Sequence, residues 1–404
     1  MSQSLLYHTF RVRGYQLKKV EFDGGFTLFH VEPKQQLLRC SACGSSEVIR
    51  RGATERWFRN LPVGSLVTWI IALIPRVSCL ECGCCRQIKT GFSDPRRTYT
   101  RAFARYVLEL SRLMTIKDVA EHLGVSWDVV KDIQKQHLRR HYASPALKGV
   151  RQIAIDEISI GRGHRYLTLV LDLETGAVLF VGDGKGADSL LPFWRRLRPY
   201  KAKIEAVAID MSAAYISAVW DNLPDAAIVF DRFHIVKLMN DKLTQLRRDL
   251  YRQAVDDLGK RALKGIRWLL LKHPDNLDDE RGERERLQEA LELNASLAIG
   301  YYLKEDLRQI WEQDSKRQAE RFLRDWIARA RSAGIRALSE MATTLERHAW
   351  GITSWYDYPI STGPLEGTNN KIKTMQRQHY GLRDEEFRRL KIYALHETKY
   401  ALVG

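Results

Sequence analysis

Long apolar runs are missing from this 404-residue chain. The longest, around Leu66 to Ile74, falls far short of the ~20 residues a spanning helix needs, which excludes a helical membrane protein and leaves no membrane partner to expect. The opening MSQSLLYHTF has neither a basic n-region nor a long apolar h-region, so no secretory signal is expected and the address is read as cytoplasmic. Internal repeats and low-complexity tracts are absent as well, which argues against long disorder. Cysteine is scarce, with six residues. In a reducing compartment these are better read as metal ligands than as disulfides. Acidic residues are in deficit: 49 Asp and Glu face 65 Lys and Arg, for a formal net charge of +16 and a pI near 9.6. Such an excess favours a polyanionic partner, because each neutralised phosphate releases counterions. RNA-binding and anionic-membrane proteins share that signature, so charge alone does not choose between them.

What is present divides into segments. The length exceeds one ordinary core, and apolar residues at 45% with charged residues at 28% are a normal folded mixture. Residues 1–95 are rich in glycine, cysteine and short apolar alternations. Residues 96–145 turn helical and basic. Residues 150–234 show short strand patterns separated by helical ones, 235–350 read as nearly continuous amphipathic helix, and 351–404 hold a polar loop and two basic helices. Linkers are expected at Ser93-Asp94-Pro95, His141 to Gly149, and Trp355 to Gly363.

Two CxxC knuckles, Cys40-Ser-Ala-Cys43 and Cys79-Leu-Glu-Cys82, are each followed by glycine. Together they supply four thiolates to one tetrahedral Zn²⁺, with a strand-like run between them, which is the layout of a zinc ribbon. Cys84 and Cys85 crowd the second knuckle, and either is a substitute for Cys82. The alternative is four buried structural cysteines.

Further on, Thr115 to Gly124 carries one apolar helical face at Ile116, Val119, Ala120 and Leu123. Gly124 permits a turn, Ser126 is a suitable N-cap, and Val129, Val130 and Ile133 pack a second helix back on the first. This is a helix-turn-helix pattern, whose second helix would enter the major groove with Trp127, Lys131 and Lys135 outward and Arg139 and Arg140 behind them. An ordinary helical hairpin is the bland alternative.

The acidic residues carry the sharpest signal. Gln152 to Ile160 is a strand interrupted by Asp156 and Glu157; Tyr166 to Leu173 and Ala177 to Val181 are the next two strands. A helix spans Asp188 to Leu197. Ile204 to Asp210 and Ala227 to Asp231 are two more strands, each ending in an acid. That β-β-β-α-β-α-β order is RNase H-like, with first and fourth strands adjacent, so that Asp156 and Asp210 come together. Hard Mg²⁺ (or Mn²⁺) takes oxygen ligands, and a pair of such ions clamps an in-line phosphoryl displacement. Glu366, in Pro364-Leu-Glu366-Gly-Thr-Asn-Asn370-Lys371-Ile-Lys373, is the third acid expected. Asn370 and Lys373 share its helical face and, with Lys371, offer an amide and cations to DNA. The long gap before Glu366 fits an all-α insertion, whose Arg317, Arg321, Arg324 and Arg331 are candidates for tracking the DNA backbone. Trp355 is a candidate for stacking on a base. Asp231 and His234 sit where the last strand enters a helix; Asp231 caps that helix or orients the imidazole, and His234 either supports the chemistry or packs structurally. Glu157 is read as a bystander, since a strand sends neighbours to opposite faces.

On these residues the chain closely resembles the ISL-three family of bacterial insertion-sequence DDE transposases. The paired knuckles, the helix-turn-helix, Ile155-Asp156-Glu157, Ile209-Asp210-Met211, and the Pro-Leu-Glu366 motif carry the likeness. Asp231-Arg-Phe-His234 also resembles a C/DxxH signature of related superfamilies. The resemblance implies a catalytic triad of Asp156, Asp210 and Glu366, N-terminal domains that bind the element's terminal inverted repeats, and target DNA as a second substrate. The expected architecture is α/β and multi-domain: a zinc ribbon (1–95), a helix-turn-helix (96–145), an RNase H-like core in two parts (150–234 and 351–404), and the helical insertion (235–350). The expected protein cuts and joins DNA as a homodimer or larger assembly in the bacterial cytoplasm, at the nucleoid. A non-catalytic DNA-binding regulator is the main rival, and it would need no triad.

Overall fold

The computed structural model of the protein describes residues 6–161, 163–200, 202–254, 257–378 and 383–396. The chain divides into two compact units, one built chiefly of the residues up to His141, the other of 142–377 together with the helix that follows Arg383.

The first unit is organised by a five-stranded sheet. Strands β1 (Tyr15–Asp23), β2 (Phe26–Pro33), β3 (Val48–Arg59) and β4 (Val67–Cys79) lie in the order β1-β2-β4-β3, and the short β5 (Cys85–Gln87) pairs with the end of β4. β3 and β4 are antiparallel, with Val48 opposite Cys79 and Arg59 opposite Trp69. This register matters for chemistry: it returns the chain to the first knuckle just as β4 reaches the second. Phe10, Phe29, Phe58, Ile70, Ile74 and Phe92 fill the core beneath the sheet. Three helices follow, α1 (Arg101–Leu110), α2 (Ile116–Leu123) and α3 (Trp127–Tyr142). Thr115 and Asp118 form a capping box at the start of α2, and Gly124 ends it at φ 60°, a left-handed conformation that costs glycine nothing. Val119, Ala120, Leu123, Val130 and Ile133 are buried together against Phe103 and Val107 of α1. The expected linker at Ser93-Asp94-Pro95 is instead a packed turn. Ser93 is buried and its hydroxyl donates to the Tyr99 carbonyl, while Asp94 accepts from Arg101.

The second unit holds a sheet of order β10-β9-β6-β7-β8, from β6 (Gln152–Gly161), β7 (Arg165–Asp172), β8 (Val178–Asp183), β9 (Ala206–Ile209) and β10 (Ala227–Phe230). β6, β7 and β8 run antiparallel, whereas β9 and β10 run parallel to β6. Parallel strands need crossovers, here supplied by α4 (Leu191–Leu197) and α5 (Ala213–Asn222). The central strands are buried on both faces, which explains their near-continuous Val, Ile, Leu and Ala content.

After β10 the described residues are helical: α6 (Arg232–Gln253), α7 (Asp257–Leu263), α8 (Arg267–Leu271), α9 (Glu283–Glu292), α10 (Ala295–Arg308), α11 (Lys316–Ser332), α12 (Arg336–Thr353), α13 (Gly363–Gln378) and α14 (Glu385–Ala394). Their packing splits in two. Leu243, Leu263, Leu270, Leu287 and Leu297 build a satellite core among α6 to α10. Leu323, Trp326, Met341 and Leu345 of α11 and α12 instead join the core of the sheet. Gly351 shows how close that approach is, since a Cβ there would lie 2.5 Å from the Phe230 ring. No helix among the described residues is long and apolar enough to cross a membrane.

Candidate active site and thiol cluster

Parallel pairing of β6 with β9 sets Gln152 beside Ala206, Ile153 beside Val207 and Ala154 beside Ala208. Asp156 and Asp210 each stand two residues past the last of these pairs, at the same edge of adjacent strands. Their immediate anchors differ. The Asp156 carboxylate accepts from the Glu157 amide at 2.7 Å through Oδ1 and from the Asn369 side-chain amide at 3.0 Å through Oδ2. Asp210 Oδ1 accepts from the Ser212 amide at 2.9 Å, folding the chain from β9 into α5. Burial pushes the Asp156 carboxyl upward, and the nearby Asp210 charge adds to that, while the Glu157 amide and His234 oppose it.

Asp231 is 2% exposed, unusual for a carboxylate, and its bonds explain why it is tolerated. It caps α6 by accepting from the His234 amide at 3.3 Å, and it meets His234 Nδ1 at 3.0 Å. Its other oxygen accepts from the Thr362 amide at 3.1 Å. One side chain thus ties the end of β10, the start of α6 and the residue before α13. Burial raises the Asp231 carboxyl, but bonds from His234 and Thr362 outweigh it and hold the group below the ordinary range. His234 is shifted upward, first by the Asp231 bond and then by the charges of Asp231, Asp156 and Asp210.

α13 carries Glu366. Leu365, Thr368, Asn369, Ile372 and Met375 face inward, and Glu366, Asn370, Lys371 and Lys373 are exposed. Glu366 and Asn370 do share a face, as their spacing predicts. The amide that reaches a catalytic candidate is nevertheless Asn369, a residue the sequence reading passed over. The apolar phase of Leu365, Ile372 and Met375 was the signal that could have found it. Glu157 points away from this cluster, accepting from the Tyr215 hydroxyl at 2.6 Å and the Gly186 amide at 3.2 Å. Trp355 packs against the core of the sheet and meets Tyr356 edge-on. Arg317, Arg321 and Arg324 are exposed, but Arg331 is paired with Glu346 at 3.0 Å.

In the first unit, Cys40, Cys43, Cys79 and Cys82 place their sulfurs within 4.8 Å of one another. Cys40 lies 3.6 Å from Cys82 and Cys43 lies 3.5 Å from Cys79. Sulfurs at the corners of a metal tetrahedron with ~2.3 Å bonds are roughly 3.8 Å apart, so the set fits a single bound metal ion. The backbone amides of Cys43 and Ala42 draw the Cys40 thiol down to about 6, whereas, against the pull of the Ser45 amide, the sulfurs of Cys79, Cys82 and Cys40 around it push the Cys43 thiol up to about 12. Cys84 is not remote: its sulfur lies 3.3 Å from Cys40 and 3.2 Å from Cys82. Among the described residues these four cysteines are the one set of three or more such ligands so closely gathered. Asp156, Asp210 and Glu366 are spread more widely.

On α3, Trp127 is 55% exposed and Lys131 Nζ stands 5.7 Å from its ring centre. Lys135 is half-buried, and Arg139 and Arg140 are exposed. Arg140 lies 3.5 Å from the Asp94 carboxylate, which engages part of its charge.

Comparison with known proteins places these features. The ISL3 family model described as a transposase matches residues 153–392, and the model described as the helix-turn-helix domain of transposase family ISL3 matches residues 88–138. The transposase for insertion sequence element IS1001 of Bordetella parapertussis is 32% identical over 388 residues, spanning 95% of either chain. The transposase for IS1557 of Mycobacterium tuberculosis is 28% identical over 394 residues, covering 90% of this chain and 87% of its own. Among solved structures, the Drosophila P element transposase strand transfer complex aligns over 74% of this chain and 93% of its own at 10% identity and a TM-score of 0.39; family membership rests on the sequence matches and not on this alignment. With one family model running from β6 into α14, a second covering the helix-turn-helix, and a curated relative alike from end to end, the chain belongs to the ISL3 family of transposases.

Proposed function

We propose that this transposase binds the terminal inverted repeats of its insertion sequence, cuts the DNA there and joins the freed 3′ end to target DNA. The observation that carries the reading is the β6–β9 register, which sets Asp156 and Asp210 side by side at one sheet edge. The strand order, with three antiparallel strands followed by two parallel to the first, supports reading this sheet as an RNase H-like core. Glu366 completes the acids from α13, whose inward Asn369 holds it against β6. These oxygen donors would suit Mg²⁺ or Mn²⁺, which Asp156, Asp210 and Glu366 would hold. When bound, the metal supplies charge stabilisation and an activated water for phosphodiester hydrolysis. The protein's own part is placement: Asp156 and Asp210 are fixed by backbone bonds, and Asp231 ties the end of β10 to His234 and to the residue before α13.

Trp127, Lys131, Lys135, Arg139 and Arg140 on α3 are read as the DNA-recognition surface, and Asn370, Lys371 and Lys373 as contacts to the DNA being cut. Cys40, Cys43, Cys79 and Cys82 are assigned to structural Zn²⁺. Since two element ends must meet, the working form is a homodimer or larger. The test is incubation of purified protein with labelled element ends and Mg²⁺. Asp156→Ala, Asp210→Ala and Glu366→Ala are each expected to abolish cleavage while leaving end binding intact. Near wild-type cutting by any of the three removes that residue from the triad.

A further inference from the structure

We propose that Asn369 is a positioning residue for the Asp156 carboxylate, setting both its orientation and the distance between β6 and the Glu366 helix. Three observations carry this. First, the Asn369 amide donates to Asp156 Oδ2 at 3.0 Å, a contact between residues far apart in sequence. A carboxylate only accepts, so the amide nitrogen must be the atom facing it, and the orientation of the side chain is thereby fixed. Second, Asn369 is 9% exposed and its Oδ1 is buried with no hydrogen-bond partner. An orphaned carbonyl is a cost that a residue kept for packing alone would avoid, since leucine has similar bulk and no polar atom. Third, Asn369 lies one turn beyond Glu366 on α13, so a bond that fixes Asn369 against β6 also limits where the Glu366 backbone can stand relative to that strand.

The device has a clear physical function. Asp156 is half-buried, and its Oδ1 is occupied by the Glu157 amide. Without Asn369, Oδ2 would be free to rotate, and α13 would lose its polar contact to β6. With Asn369 in place, the carboxylate plane is held before any metal arrives. Outer partners of this sort orient ligands and raise affinity without touching the ion, and losing one typically costs about 10–100-fold in metal affinity or activity.

The inference rests on the reading of Asp156 as a metal ligand, and the experiment separates the two. Mn²⁺ binding to the full-length protein is titrated by electron paramagnetic resonance, beside its melting temperature and the Mn²⁺ dependence of end cleavage. The proteins compared are wild type, Asn369→Leu, Asn369→Ser and Asp156→Ala. Asn369→Leu keeps the volume and removes the bond. Asn369→Ser covers the case in which leucine does not fold, because water can enter the space left. The expected result is a folded variant that binds element ends normally and needs at least about tenfold more Mn²⁺ for half-saturation, in binding and in cleavage alike. A lowered melting temperature with an unchanged Mn²⁺ midpoint in the folding variant would show a packing role only and overturn the proposal. Wild-type Mn²⁺ binding by Asp156→Ala would overturn the ligand assignment, and the positioning role with it.

Discussion

Replacing Asp231 with alanine removes one side chain that serves three backbone or ring partners, and its consequences can be worked from the structure. The helix cap to the His234 amide is worth about 1 kcal/mol. The bonds to the Thr362 amide and the His234 ring involve a buried charge, at about 1.5–3 kcal/mol each. The three share one group and do not add fully, so a loss of about 3 kcal/mol is expected for the second unit. At about 2–4 °C per kcal/mol for a body of this size, the melting temperature should fall by roughly 6–12 °C. The loss should also depend on pH, in a direction fixed by the two shifts. Asp231 is lowered in the fold, so its contribution is present above the unfolded carboxylate value, about 4, and fades as pH falls through the folded one. His234 is raised, so its contribution is complete below about 6.5 and fades as pH rises through its folded value. The difference between wild type and Asp231→Ala should therefore be greatest between about pH 4 and 6.5 and shrink as pH rises through the folded value of His234. Asp231→Asn keeps an acceptor for Thr362 but loses the charge, and should fall between the two. Thermal melts across pH on all three proteins test this. A shift under about 1 °C for Asp231→Ala near pH 6, or a loss that is the same at every pH, would refute the reasoning.

His234→Ala separates two roles: as support for the chemistry it should fold and bind ends yet cut about 10²–10⁴-fold more slowly in single turnover, whereas a purely structural histidine would lower the melting temperature with cutting per folded molecule unchanged. Purified protein should contain one Zn²⁺ per chain by metal analysis, and Cys43→Ser should release it; Cys40→Ser and Cys82→Ser should each retain more metal than Cys43→Ser, because the Cys84 sulfur stands 3.3 Å from Cys40 and 3.2 Å from Cys82. Lys131→Ala and Lys135→Ala should each reduce the salt dependence of end binding by about one unit of slope if they meet phosphates, measured by titration across salt concentrations. Gly351→Ala should destabilise the second unit by about 1–3 kcal/mol despite alanine's better helix propensity, because its methyl would meet the Phe230 ring; an unchanged melt would mean that the ring can move aside.

The strands of the second unit were legible because burial on both faces leaves little choice of residue. Runs such as Ile204–Ile209 and Ala227–Phe230 are short, apolar and bounded by acids, and the structure keeps them within a residue or two. The helix-turn-helix was legible for another reason: the apolar face of Ile116, Val119, Ala120 and Leu123 runs into Gly124, which takes the left-handed conformation the turn needs. In the first unit the sheet was only partly legible. β1 and β2 carry exposed, charged alternations around a tight Gly24-Gly25 turn, and nothing local tells that β2 will run parallel to a strand some forty residues later. Ser93-Asp94-Pro95 misled for a related reason, since turn residues mark a change of direction whether the segment is loose or packed.

The site shows the same division between what is local and what is not. Asp156, Asp210 and Glu366 stand out in sequence because each interrupts or follows a pattern. Their supporting residues do not, since a supporting contact is a property of the fold. Asn369 and Asn370 are identical side chains one residue apart, 100° around the helix, and only the apolar phase of α13 decides which of them meets Asp156. Asp231 reads in sequence as a cap for its own helix, and it is one. Its second oxygen is committed to Thr362, well over a hundred residues later, and that bond couples the strand carrying Asp231 to the helix carrying Glu366. Two polar contacts, Asp231 to Thr362 and Asn369 to Asp156, thus tie the residue before α13 to the end of β10 and α13 itself to β6, across the intervening helices. Because Asp231 also caps α6, the first of these contacts reaches the α6–α10 core at the start of α6, whereas the Asn369 contact joins α13 to β6 directly.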